Sequence, residues 1–98
     1  MFVVVTKTHF TDQQESAVMD MSNNAVEIAK QQPGFIGIRI HLAHEANHTL
    51  TYWEWETQQD HINCMASADW GSWNPKWEAM MADGVKFELD TYQVVAEA

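Results

Sequence analysis

Apolar and polar positions divide this chain into short elements with no linker between them. Residues 2–9, FVVVTKTH, are β-branched and read as a strand. Thr11 is placed to cap a helix with Gln14 reaching back to it, and Asp12 and Glu15 suit the positive helix start. Val18, Met21, Ala25 and Ile28 then form one helical stripe, which Pro33-Gly34 stops. Residues 35–43, FIGIRIHLA, alternate: Ile36, Ile38, Ile40 and Leu42 point one way, and Gly37, Arg39 and His41 the other. A turn over 44–47 leads to a strand at 48–56. Thr57 and Asp60 repeat the capping pattern and start a helix carrying His61, Ile62 and Met65 on one face. Asn74-Pro75 reads as a cap with proline in the first turn of a further helical piece. Trp70, Trp73, Trp77 and Met80 share a face there even if the segment is kinked. Asp83-Gly84 ends it, and residues 85–95 form the last strand.

The order β-α-β-β-α-β predicts a single α+β domain over 1–98, a ferredoxin-like antiparallel sheet with helices on one side. Strand 48–56 complicates the picture, because its Leu50/Tyr52 side and its Trp53/Trp55 side are both apolar. A sheet covered by helices on one face should be polar on the other. The expectation is therefore a homodimer in which two sheets face each other as a shared barrel, with a cavity between each sheet and its own helices.

Composition sharpens this. The chain has 98 residues, 46% hydrophobic, with five tryptophans. A domain of this size buries only roughly 60–65% of its unfolded surface, so some of that apolar area belongs to a partner or a ligand. The formal charge of −9 argues against nucleic acid and anionic membrane surfaces. No long apolar run or leader-like start is present, and a single cysteine fits a reducing compartment; the expected setting is cytoplasmic.

The candidate chemistry lies in and around TYWEWETQQDHI, residues 51–62. Trp53 and Trp55 project to one side of their strand. His61 and Cys64, one helical turn apart, reach that side if the helix folds back, and Trp70 and Trp73 would close the other end. A solid core would use Leu, Ile and Val; these are flat rings with N–H donors that want polar partners. The prediction is a pocket for a small aromatic ligand lined by Trp53, Trp55, His61, Cys64, Trp70 and Trp73, with Arg39 or His41 holding a ligand oxygen. The histidines lack metal-ligand spacing, and neither a nucleophilic triad nor a phosphate loop can be argued.

Gly34-Phe35, Tyr52, Trp55, Thr57, Ser67 and Trp70, in this order and spacing, resemble the antibiotic biosynthesis monooxygenase family of dimeric α+β barrels. The resemblance spans essentially the whole chain. It implies a cofactor-independent monooxygenase acting on an aromatic, quinol or polyketide-type metabolite, which needs neither flavin nor metal. A non-catalytic dimeric binding protein of the same fold is the alternative. Many relatives carry histidine at the position of Cys64. Haem-degrading members need an asparagine on the first strand, and a tryptophan and a histidine on the helical segment. Here those positions hold Thr6 or a neighbour, Cys64 and Asn74, so haem degradation is disfavoured.

Overall fold

A computed structural model describes residues 1–45 and 47–98; Ala46, in the expected turn 44–47, lies outside the described residues. The elements are β1 (Phe2–His9), α1 (Glu15–Ala29), β2 (Phe35–Leu42), β3 (His48–Trp55), α2 (Gln58–Met65), α3 (Ala68–Ala82) and β4 (Lys86–Gln93). The strands form one sheet in the order β2-β3-β1-β4, with every pairing antiparallel. This is the ferredoxin-like α+β arrangement.

Register decides what faces the helices. Phe2, Val4, Thr6 and Thr8 of β1 oppose Trp55, Trp53, Thr51 and Thr49 of β3, and opposed residues share a face. Two apolar clusters grow on that face. Val4 and Trp55 pack with Ala29 of α1 and Cys64 of α2, while Phe10 and Val85 pack with Val18 of α1 and Trp77 of α3. The opposite face is open: Lys7, Arg39, His41, Tyr52 and Tyr92 are exposed on it.

Three local expectations need correction. In β2 the register shifts between Phe35 and Gly37, so Phe35 pairs with Trp55 while Ile36 is the extra residue and is exposed. Ile36 therefore does not share its neighbours' inward face. At the start of α1, Gln14 does reach back, its Oε1 accepting from the Thr11 N–H at 2.9 Å, but the helix begins at Glu15 without a side-chain cap. Gln14 has a second task, since its Nε2 donates to the Asp83 carbonyl at 2.9 Å and ties the start of α1 to the end of α3.

The largest departure is α3. It starts at Ala68, capped by Ser67, whose hydroxyl accepts from the Trp70 N–H at 3.2 Å. Asn74-Pro75 lies inside this helix and starts nothing. Proline removes one helical hydrogen bond and crowds the carbonyl four residues back, at Gly71. Packing of the Trp70-Trp73-Trp77 face against the sheet side offsets that cost.

Candidate functional site

The sheet and α2 are locked together by one small assembly. Gly34 adopts a left-handed backbone, φ +82°, and its carbonyl accepts the Glu56 N–H at 2.8 Å. A side chain at Gly34 would overlap the Asp60 carboxylate, so only glycine fits. Asp60 in turn completes a capping box with Thr57: its Oδ2 accepts from the Thr57 N–H at 3.2 Å and the Thr57 hydroxyl at 2.8 Å. Next to Gly34, Phe35 packs edge-on against Trp55, with ring centroids 5.5 Å apart. This fixes the first turn of α2, and with it His61 and Cys64, above the end of β3.

Between the sheet and the helices lies a cavity of about 100 Å³. Its floor is Val4, Thr6, Thr8, Thr51, Trp53 and Trp55; its roof is His61, Cys64, Trp70, Trp73, Asn74 and Trp77, with Ser22 and Ala25 of α1 at the side. Phe87 and Leu89 of β4 border it and are partly exposed, so it opens toward that edge strand. The lining runs from Trp55, opposite Phe2, to Phe87, opposite Thr8. The cavity is thus a small slot bordered along its sides by aromatic rings.

Aromatic rings form the wall continuously. Trp53, Trp70, Trp73, Trp77 and Phe87 follow one another with centroid separations of 6.3, 4.6, 5.5 and 5.6 Å. Two indoles have polar partners: Trp53 Nε1 donates to Thr6 Oγ1 at 3.3 Å, and Trp73 Nε1 to the Met21 carbonyl at 2.9 Å. Two buried ones do not, namely Trp55 Nε1 and Trp77 Nε1. A buried donor without an acceptor costs ~1–3 kcal/mol.

No lining residue is an Asp, Glu, Lys or Arg. The titratable groups on the cavity are His61 and Cys64, and burial acts on both. It lowers the pKa of His61 below 6.5, keeping the imidazole neutral, and pushes the Cys64 thiol up to about 11. Cys64 is thus a protonated thiol at neutral pH and a poor nucleophile. Among the described residues, no group of three His, Cys, Asp or Glu side chains could hold a metal ion.

Of the residues singled out by sequence, the structure brings Trp53, Trp55, His61, Cys64, Trp70 and Trp73 around this one cavity. It does not bring Arg39 or His41. These pair with Tyr52 and Leu50, the residues of β3 that point away from the helices, and both are exposed. His41 instead meets Tyr52 edge-on at 6.5 Å. The sequence reading missed Thr6, Thr8 and Thr51, which give the floor its hydroxyls, and left Trp77 out of the lining although it shares a helical face with Trp70 and Trp73. The signal for the threonines was the alternation Thr6-Thr8 and Thr49-Thr51: buried hydroxyls on two strands that turn out to be neighbours.

The fold and the slot define a small α+β domain built around an aromatic, uncharged cavity. The sequence pattern of the antibiotic biosynthesis monooxygenase family matches residues 1–76, and the chain belongs to that family. Among solved structures it is similar to SnoaB, a cofactor-independent oxygenase from Streptomyces nogalater. The TM-score is 0.82 at 12% identity, covering 98% of this chain and 94% of that one. It is also similar to a conserved protein from Methanosarcina mazei Go1, with TM-score 0.78 at 15% identity over 94% of this chain and 90% of that one. No curated protein sequence matches it.

Proposed function

We propose that this protein is a cofactor-independent monooxygenase for a flat, electron-rich aromatic metabolite of the quinol or polyketide type. The observation that carries the reading is the slot itself: aromatic walls, a threonine floor, and a neutral histidine as the one basic side chain on it. A ligand with a phenol ring fused to a ring CH₂, as in an anthrone, would lie along the wall and give a CH₂ proton to His61, which is neutral and free to accept it. Trp55, 6.0 Å from the His61 ring, has an unpartnered N–H to donate to the resulting oxyanion. Such an anion passes one electron to O₂, the two radicals recombine at the carbon that lost the proton, and the protonated His61 returns that proton to the peroxide. The hydroperoxide then collapses to a carbonyl with loss of water. One oxygen atom ends in the carbonyl and one in water, and the substrate supplies all four electrons.

SnoaB, a cofactor-independent oxygenase of the same fold, supports this reading. The protein would act as a homodimer: the face opposite the helices exposes Tyr52 and Tyr92 at 44% and 52%, and β4 is exposed along its whole length. A buried free thiol agrees with a cytoplasmic setting. The test is oxygen uptake with a panel of quinols and anthrones. Protein-dependent uptake that His61→Ala abolishes is expected. Ligand binding without uptake would leave a binding protein of the same fold, and haem loss with a reductant would point to the chemistry disfavoured above.

A further inference from the structure

Arg39 and His41 stand outside the slot, on the sheet face that the helices leave open. Register arranges that face in rows. Arg39 of β2, Tyr52 of β3, Val5 of β1 and Asp90 of β4 lie side by side in one row. His41, Leu50, Lys7 and Glu88 form the next. Val5 and Leu50 are half-buried and Tyr52 is exposed, so the middle of the face is largely apolar. Its two edges differ in charge. On this face β2 adds the cation Arg39 and no carboxylate, whereas β4 adds Glu88 and Asp90 against the single cation Lys86.

Nothing within one chain uses Arg39 or Asp90. Among the described residues the ion pairs are His9 with Glu88 and Lys30 with Glu27, while Arg39 and Asp90 are exposed. Nor do they meet in one sheet, since three strand spacings, roughly 14 Å, separate them. A second copy laid on this face has two symmetric arrangements. A two-fold axis across the strands sets β4 over β4, acid against acid, which costs binding energy. An axis along the strands sets β4 over β2 of the partner subunit. Rotation about that axis allows no slide along the strands, so each row meets the same row. Asp90 then faces the partner's Arg39, and Glu88 faces the partner's His41. Sheets packed this way lie ~10 Å apart and cross at about 30°, which displaces the edges by roughly 4 Å, less than the ~7 Å between rows.

We propose that the open sheet face docks a second copy of this chain with β4 lying over the partner's β2, an orientation set by two symmetric ion pairs between Arg39 and Asp90. This rests on the homodimer reading given above and adds the orientation and the residues that fix it. Arg39 thereby acts between subunits and not on the ligand. Burial of Val5, Leu50 and Tyr52 favours either arrangement, because apolar contact has no direction. Only one arrangement pairs the charged edges, so charge selects it.

The test is a double-mutant cycle on dimerisation, read by fluorescence-detected sedimentation from nanomolar to micromolar chain in low salt. Arg39→Asp turns two attractions into repulsions and should weaken the dimer about thirtyfold or more, and Asp90→Arg should do the same. Both changes in one chain restore the pairs with reversed sign, and the dimer should return to within about threefold of the parent. The two residues are roughly 14 Å apart within one sheet, so such a rescue acts across the interface. The single-variant losses should shrink in about 1 M salt. If a charge reversal prevents folding, Arg39→Gln and Asp90→Asn run the same cycle, the second change adding little to the loss from the first. Single variants that dimerise like the parent overturn the orientation while leaving a homodimer. So does a tighter dimer in Asp90→Arg, or a double variant whose loss is the product of the single losses. A parent that stays monomeric at micromolar concentration removes the homodimer and this inference with it.

Discussion

Replacing Gly34 with alanine should cost far more than one methyl group suggests, and the structure says why. The residue sits at φ +82°, where a Cβ costs ~1–2 kcal/mol in backbone strain. The added carbon would also overlap the Asp60 carboxylate, whose oxygen holds the Thr57 N–H and hydroxyl. Asp60 must then leave, and losing that half of the capping box costs ~1 kcal/mol more. The total is about 2–3 kcal/mol, read as a shift of the urea midpoint with unchanged slope. Asp60→Ala alone should cost about 1 kcal/mol. Because Asp60→Ala removes the group that the new methyl would strike, the double variant should cost about 2–3 rather than about 3–4 kcal/mol. Loosening the start of α2 also frees His61 and Cys64, so aromatic ligands should bind more weakly to Gly34→Ala. A cost below ~1 kcal/mol for Gly34→Ala, or strict additivity with Asp60→Ala, would refute the argument, since overlap and shared cap would then not be coupled.

Trp73→Phe should lower stability by ~1–2 kcal/mol in urea, because the Met21 carbonyl loses its donor from α3; an unchanged midpoint would mean that water replaces it. Stability should depend on pH at both ends of the range. His61 has its native pKa below the unfolded 6.5, so its contribution is complete above that pH and is lost as pH falls through the native value. Cys64, raised from 9.0 to about 11, contributes fully below about pH 9 and loses that contribution as pH rises toward 11. His61→Gln should flatten the acid limb and Cys64→Ala the alkaline one in urea midpoints measured across pH. Light scattering at micromolar concentration should give a dimer burying more than ~1,200 Å² of total surface; a monomer there would leave the open sheet face unexplained.

Periodicity carries the elements because it reflects which side of each strand or helix meets apolar surroundings, and that is a local property. The decisive stretch was residues 48–56: alternation put Trp53 and Trp55 on one side, and the capping pattern at Thr57 and Asp60 placed His61 and Cys64 just after them. Those few residues made most of the slot legible. Where the local signal misled, a neighbour distant in sequence had intervened. Asn74-Pro75 has the form of a helix start, yet the Trp70-Trp73-Trp77 face packs as one unit and carries α3 through it. Ile36 has the spacing of an inward residue, but the bulge that brings Phe35 onto Trp55 turns it out. Arg39 and His41 carried charge and a ring nitrogen on the less apolar side of β2, and only the register with Tyr52 and Leu50 decides that this side faces away from the helices. The same holds for Thr6 and Thr51, far apart in the chain and direct partners in the sheet. The sequence determined which residues are aromatic, polar or strand-forming and on which side of its own element each lies. The tertiary structure decided which of those sides share a cavity, because pairing register and helix docking depend on contacts that no local window contains.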